Sequence, residues 1–286
     1  METVPFQAPS HHEEHFGKKS FPTKVALIDA DRYKHVVTYR VFQELDNGKK
    51  HSKELLNEII SDYLFKDIFS AFDAKAYIFC FSAPSKQVFR NYIAQEKKYK
   101  GNREGKKDDY YYEGKFDDMA YIFEYVESRY PTLVFNDLEA DDILSMLQDP
   151  EDTFIFSHDK DLKQVVGFHY NMTRHMIEYT SPEEGFDMLV RQMLQGDSTD
   201  NIPGLHGFGE KALEKFAIKT EKSGDMEKLI MCIKEYTDKK GVLSGMDLFV
   251  EMWSLLSMRL SRGKYNQHKY KKGFDLVNSF IKQDNE

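Results

Sequence analysis

Residues 153–161 read TFIFSHDKD, a short apolar run that closes on two aspartates two positions apart. A run that is continuous rather than alternating is the pattern of a strand covered on both faces. Three other stretches have the same form: KVALIDA at 24–30, AYIFCF at 76–81 and TLVF at 132–135. Between the first two, apolar residues at 55, 56, 59, 60, 63, 64, 68, 69 and 72 make the stripe of an amphipathic helix over about 54–72. Residues 86–95 and 116–130 also predict helices, the second ending before Pro131, and another starts near Glu139. Strand and helix in alternation specify an α/β fold, a mostly parallel central sheet with helices on both faces. Residues 168–179 suggest a short hairpin at the sheet edge.

Past Ser181-Pro182-Glu183-Glu184, a capped helix start, the chain reads as helix and loop. Residues 204–216 are glycine-rich and then helical, and 246–260 and 274–281 are further amphipathic helices. The expected organisation is a flexible N-terminal arm at 1–22, an α/β core at 23–180 with a charged segment at about 86–116, and a helical region at 181–286.

The chain has 286 residues with 22 Phe and 17 Tyr, enough to bury a core and to exclude wholesale disorder. Cys80 and Cys232 are too few for a disulfide scaffold or a cysteine-rich zinc site. No apolar run approaches the roughly 20 residues that span a bilayer, and the first 20 residues lack the core of a signal peptide. These features suggest a soluble protein of the cytoplasm. The cluster His11-His12-Glu13-Glu14-His15 has metal-binding residue types, but without a scaffold such a tail is ordinarily unspecific.

A net charge of −8 argues against a nucleic-acid partner only if the charges are evenly spread, and they are not. Eight Lys/Arg fall between Lys86 and Lys107 against two acids, and six fall between Arg259 and Lys272 with none. The acids cluster elsewhere: Asp29 ends the first strand, Glu139, Asp141 and Asp142 enter a helix, Asp159 and Asp161 follow TFIF, and Asp197 and Asp200 lie beyond the sheet. Ligands of open parallel sheets gather at the carboxyl ends of the strands, so all four clusters are expected at one rim. Any one of them also has a plain reading, as a helix cap or a favourable charge at a helix start. Together, eight like charges repel unless cations sit among them. Oxygen-only donors select hard ions such as Mg²⁺ or Mn²⁺, and two such ions suit phosphodiester hydrolysis.

In order along the chain stand Tyr99-Lys100-Gly101-Asn102-Arg103, Glu139-Ala140-Asp141-Asp142, Asp159-x-Asp161 and GDSTDNIPGLHGFGEKAL at 196–213. This set resembles the flap endonuclease/5′–3′ exonuclease family, and is similar above all to the small bacteriophage enzymes and the 5′-nuclease domain of bacterial DNA polymerase I. The resemblance spans about residues 24–216. It implies a PIN-like nuclease core followed by a helix–hairpin–helix-type duplex-binding motif. It implies Asp29, Glu139 and Asp141 as ligands of one divalent ion and Asp159, Asp161 and Asp200 as ligands of a second. Asp142 and Asp197 would lie in the inner shell or just outside it. Lys100 and Arg103 would be a basic pair, on a helix leading into an arch, that stabilises the scissile phosphate. Arg90 would be a third phosphate contact. Gly204, Gly207 and Gly209 would let the hairpin backbone approach DNA, with Lys211 and Lys215 adding charge, and K⁺ would sit at the hairpin loop.

Three places leave the family pattern or stay open. A carboxylate expected after the second strand falls at Ser82 or Ala83, which implies a weaker first metal site with water in that position. Asp31 follows Asp29 and could assist the metal site or cap the next helix, the cap being the favoured reading. Tyr110, Tyr111 and Tyr112 suit either stacking on unpaired bases or a lid folded on the core. The implied partners are branched or 5′-ended duplex DNA and RNA/DNA hybrids, with a replication polymerase or single-strand binding protein, and no membrane. Two alternatives are a structure-specific DNA-binding protein without catalysis and a PIN-type ribonuclease.

Overall fold

The computed structural model describes residues 24–69, 74–105, 110–171, 176–258 and 264–282. The N-terminal arm with its His11–His15 cluster, and parts of both basic runs, lie outside the described residues.

The apolar runs become β1 (Val25–Asp29), β2 (Ala76–Cys80), β3 (Thr132–Leu133) and β4 (Thr153–Ser157). The expected hairpin is β5 (Gly167–Asn171) and β6 (Met176–Thr180). The sheet order is β3-β2-β1-β4-β5-β6, parallel throughout except for the antiparallel β5–β6 pair. β1 is central, and the order reverses beside it, between β1 and β4. That is where open sheets of this class form a crevice at the strand ends.

Alternation along β1 divides the core. Ala26 and Ile28 face a layer built by α1 (Asp31–Asp46), α2 (Lys53–Tyr63) and, beyond the short α3 (Arg90–Ile93), α4 (Lys115–Glu127). Tyr33, Val37, Ile60 and Ile122 supply its buried side chains. Val25 and Leu27 face the other way, onto α5 (Ala140–Leu147) through Ile143 and Leu144. A third cluster joins α6 (Pro182–Gln195), α7 (Glu210–Thr220), α8 (Asp225–Lys240) and α9 (Val242–Leu256) around Leu189, Met193, Phe216, Tyr236 and Met252. Ser181 opens α6 with the expected capping box: its side chain accepts from the Glu184 amide at 3.2 Å, and the Glu184 carboxylate accepts from the Ser181 amide at 2.8 Å.

Past β6 the described elements are all helices, and after α10 (Lys264–Lys269), Tyr270 and then Phe274 and Val277 of α11 (Lys271–Ile281) pack back on the sheet beside Leu27 and Ile78. The structure corrects three expectations. The predicted helix over 86–95 is reduced to a 3₁₀ turn at Ser85–Gln87 and the four residues of α3. The 54–72 stripe is α-helical only to Tyr63, and Leu64–Phe69 continues it as a π-helical turn. TLVF contributes two strand residues rather than four.

Candidate active site

The acid clusters arrive at the same rim by four routes. Asp29 is the last residue of β1, and the Ser157 hydroxyl at the end of β4 donates to its Oδ2 at 2.7 Å. Burial pushes the Asp29 carboxyl up to about 6, an effect that Ser157 only partly offsets. Beyond β4, Asp159 caps a 3₁₀ turn by accepting from the Asp161 amide at 2.8 Å. Asp161 is buried, accepts from Gln192 Nε2 of α6 at 2.5 Å, and is raised to about 7 by burial and by Asp159 and Asp197. Glu139 caps α5, so that Asp141 and Asp142 fall in its first turn. Asp141 is held well above the usual carboxylate range by burial and by Asp142. Asp197 and Asp200 sit on the loop after α6, pinned where Asp197 and Ile202 exchange backbone hydrogen bonds of 2.9 and 2.8 Å.

Seven of the eight predicted carboxylates (Asp29, Glu139, Asp141, Asp159, Asp161, Asp197 and Asp200) line one cavity of about 1080 Å³. Lys100 and Arg103 line it too, with Asp31 and Ser82. Every donor in the acid set is an oxygen, and burial, with neighbouring carboxylates, raises four of its carboxyls above their usual range. Such a donor set fits hard divalent cations.

The eighth acid, Asp142, is different. It is fully buried, and Arg90 grips both its oxygens at 2.6 and 2.7 Å while also donating to Glu139 Oε2 at 3.0 Å. This corrects the expectation for Arg90 and takes Asp142 out of the cavity lining. Arg90, 1 % exposed and bonded through Nε to the Leu255 carbonyl, cannot reach a DNA phosphate. Asp142, although its carboxylate lies within 4.8 Å of those of Glu139 and Asp141, is committed to Arg90 and to the Glu139 amide. It fixes the helix start rather than facing the cavity.

Lys100 and Arg103 do not lie on a helix as expected. Lys100 has a left-handed backbone (φ 53°) and leads into the 3₁₀ turn Gly101–Arg103. The turn docks on the acid loop: the Lys100 amide donates to the Asp200 carbonyl at 2.9 Å and Asn102 to the Ser198 carbonyl at 2.7 Å. Lys100 Nζ thereby reaches Glu139 Oε1 at 2.5 Å, and Arg103 reaches Asp200 Oδ1 at 2.5 Å. Although burial opposes it, Lys100 with Arg90 holds the Glu139 carboxyl below the usual range.

Three participants escaped the sequence reading. The buried Tyr99 hydroxyl lies 2.7 Å from Glu139 Oε2 and 2.8 Å from Asp200 Oδ2, bridging two acid clusters. Gln192 and Ser157 orient Asp161 and Asp29. Only Tyr99 left a trace in the sequence, as the residue next to Lys100; glutamine and serine carry no signal until the fold brings them in.

Of the hairpin glycines, Gly204 (φ 62°) packs against the backbone of Gly196, where a Cβ would collide, so it shapes the acid loop. Gly207 faces Lys239, whose Nζ donates to the His206 carbonyl at 2.8 Å. Gly209 caps α7 with open space before it, and Lys211 and Lys215 stand exposed one turn apart on that helix. Asp31, favoured as a cap, lies inside α1, whose N-cap is Ala30, and accepts from the Ser82 amide. The tyrosine run divides. Tyr112 is buried and donates to Asp118 at 2.7 Å, Tyr110 packs on Tyr39 and Phe42, and Tyr111 points outward.

Among the described residues, no helix is long and apolar enough to cross a membrane. Residues 24–190 match the family model described as 5′-3′ exonuclease, N-terminal resolvase-like domain. A 5′-3′ exonuclease of Buchnera aphidicola is 29 % identical over 222 residues, covering 68 % of this chain and 70 % of that one. DNA polymerase I of Bacillus subtilis is 39 % identical over 121 residues, 36 % of this chain and 13 % of the polymerase. Among solved structures, the bacteriophage T5 D15 flap endonuclease, in a complex with DNA and metal ions, aligns with a TM-score of 0.63. That alignment covers 91 % of this chain and 99 % of the phage protein at 17 % identity, a likeness of fold. With the family model spanning more than half of its length, from Asp29 through Asp161 of the acid-lined rim, the chain belongs to the 5′-3′ exonuclease family, nucleases that hydrolyse phosphodiester bonds.

Proposed function

We propose that this protein is a two-metal nuclease that cuts duplex DNA at 5′ ends or branches, including RNA primers on DNA, in replication or end processing. The observation that carries the reading is the single cavity in which seven carboxylates from four chain segments face Lys100 and Arg103. Asp29, Glu139 and Asp141 would hold one ion, and Asp159, Asp161 and Asp200 the other, Mg²⁺ or Mn²⁺ by the chemistry of the donors. Bound there, the pair supplies an activated water and charge stabilisation for the departing oxygen.

The chain's own residues do the rest. Gln192 and Ser157 keep Asp161 and Asp29 turned toward the cavity, and Arg90 with Asp142 fixes the helix start from which Glu139 and Asp141 project. Lys100 and Arg103 move from carboxylate partners to the phosphate as it enters, a point charge and a planar fork suited to its oxygens. Lys211 and Lys215, beside the open approach to Gly209, grip the duplex downstream. A K⁺ ion at the 204–209 loop and a polymerase or single-strand binding partner in the cytoplasm belong to the same reading.

The test compares a 5′ flap, a blunt duplex and single-stranded RNA as labelled substrates over a range of Mg²⁺ and Mn²⁺. Metal-dependent cutting at the flap junction or duplex 5′ end is expected. Cutting of the RNA alone would establish a ribonuclease instead. Flap binding without product in either metal would establish a binding protein.

A further inference from the structure

At the carboxyl rim, the exits of β1, β3 and β4 each carry or lead to an acid: Asp29, the Glu139–Asp142 helix start, and Asp159. The exit of β2 does not, since the chain there runs Phe81-Ser82-Ala83-Pro84. Yet β2 lies between β3 and β1, so its exit stands between Glu139 and Asp141 on one side and Asp29 on the other.

A carboxylate from another element occupies that place. Asp31, in the first turn of α1, has both oxygens 3.3 Å from the Ser82 amide nitrogen. It stands in the first turn of α1, whose N-cap is Ala30, so its carboxylate is not the capping group. Its side chain is 32 % exposed and has solvent available, but Ser82 holds it across the β2 exit, with Lys34 3.2 Å away balancing its charge. Ser82 ties this arrangement to the neighbouring acids, because its hydroxyl accepts from the Ala140 amide, at the start of α5, at 2.8 Å. Asp31 and Ser82 both line the acid cavity with Asp29, Glu139 and Asp141.

We infer that Asp31 supplies the carboxylate of the first metal position that β2 does not provide, reaching over Ser82 to hold the ion or its inner waters. The inference rests on the proposed two-metal reading. It replaces the expectation of a water-filled gap and a helix cap with a positioning residue delivered from α1. Outer carboxylates that orient a metal's ligands or waters are worth about 10- to 100-fold in affinity.

The test titrates Mn²⁺ into the DNA-free protein and follows free Mn²⁺ by electron paramagnetic resonance. The proteins are wild type, Asp31→Asn, Asp31→Ser and the double variant Asp31→Asn/Ser82→Asp, each checked for folding by thermal melt. Wild type is expected to bind two ions. Asp31→Asn and Asp31→Ser weaken one of them at least about tenfold and leave the other unchanged, and adding Ser82→Asp restores the lost site to within about threefold. Asp31 variants that bind both ions as wild type does would overturn the inference. So would a loss that Ser82→Asp does not repair, because Asp31 would then matter only to the fold. Wild type that binds both ions but cuts no substrate would remove the proposed function and leave these comparisons standing. Wild type that binds none would remove both.

Discussion

The Arg90 guanidinium spans both oxygens of Asp142 at 2.6 and 2.7 Å, each side chain being shut off from solvent. In a sequence this arginine stands in a basic run and reads as a DNA contact. In the fold it is the buried counterion of the helix that presents Glu139 and Asp141.

Breaking that pair strands a charge in the interior, which costs about 3–5 kcal/mol. Arg90→Met is therefore expected to lower the melting temperature by about 10 °C, whereas Arg90→Met/Asp142→Leu recovers at least half of the loss. Chemical denaturation of both variants checks this. A fully stable Arg90→Met with weakened DNA binding would return Arg90 to the surface role.

Lys100 and Arg103 are within 2.5 Å of Glu139 and Asp200 and line the cavity. Replacing either by alanine is expected to slow single-turnover cleavage about 10²- to 10³-fold while leaving the affinity for flap DNA within about threefold. Rates within threefold of wild type would show that neither touches the reacting phosphate.

Burial raises Asp29 to about 6 and Asp161 to about 7, and lifts Asp141 and Asp159 as well. The native state thus holds protons that the unfolded chain, with carboxyls near 4, has already released. The contribution of these four groups to the stability of the metal-free protein accordingly falls as the pH rises from about 4 through 7, since in the unfolded state they bind fewer protons over that window. Divalent ions need the same groups ionised, so Mn²⁺ should raise the melting temperature by several degrees at pH 8 and by little at pH 5. Thermal melts at the two pH values, with and without Mn²⁺, read this directly. An equal shift at both would mean the ions bind away from these acids.

Gly204 and Gly209 belong to one motif but meet different surroundings. A side chain at Gly204 collides with the Gly196 backbone at a positive φ, while Gly209 faces open space. Gly204→Ala is expected to cost stability and cleavage together, through displacement of Asp197 and Asp200. Gly209→Ala, at the N-cap of α7, should lower the melting temperature by only a few degrees, well short of Gly204→Ala, and lose duplex affinity. Equal melting temperatures for both variants would contradict the placement of Gly204.

The strands and their terminal acids were legible because a buried parallel strand is a local apolar run, and the rim follows from topology. What escaped depends on contacts across long stretches of chain. Arg90 meets Asp142 only after 52 residues, and Gln192 meets Asp161 after 31. The return of Phe274 and Val277 to the sheet looks, locally, like any amphipathic helix. Asp31 had the position of a cap residue, and only the neighbouring strand exit revealed another partner. Lys100 and Arg103 were found through their motif, but the left-handed turn that aims them had no pattern in the residues.

The central claim is that the acid-lined cavity cuts DNA with the help of divalent ions. Its most direct test is single-turnover cleavage of a 5′-labelled flap by wild type and by Asp159→Asn/Asp161→Asn, with flap affinity measured in parallel. The account predicts a metal-dependent product from wild type, and from the double variant unimpaired binding with cleavage lowered by at least about 10³-fold. Cleavage by the double variant at the wild-type rate would contradict it.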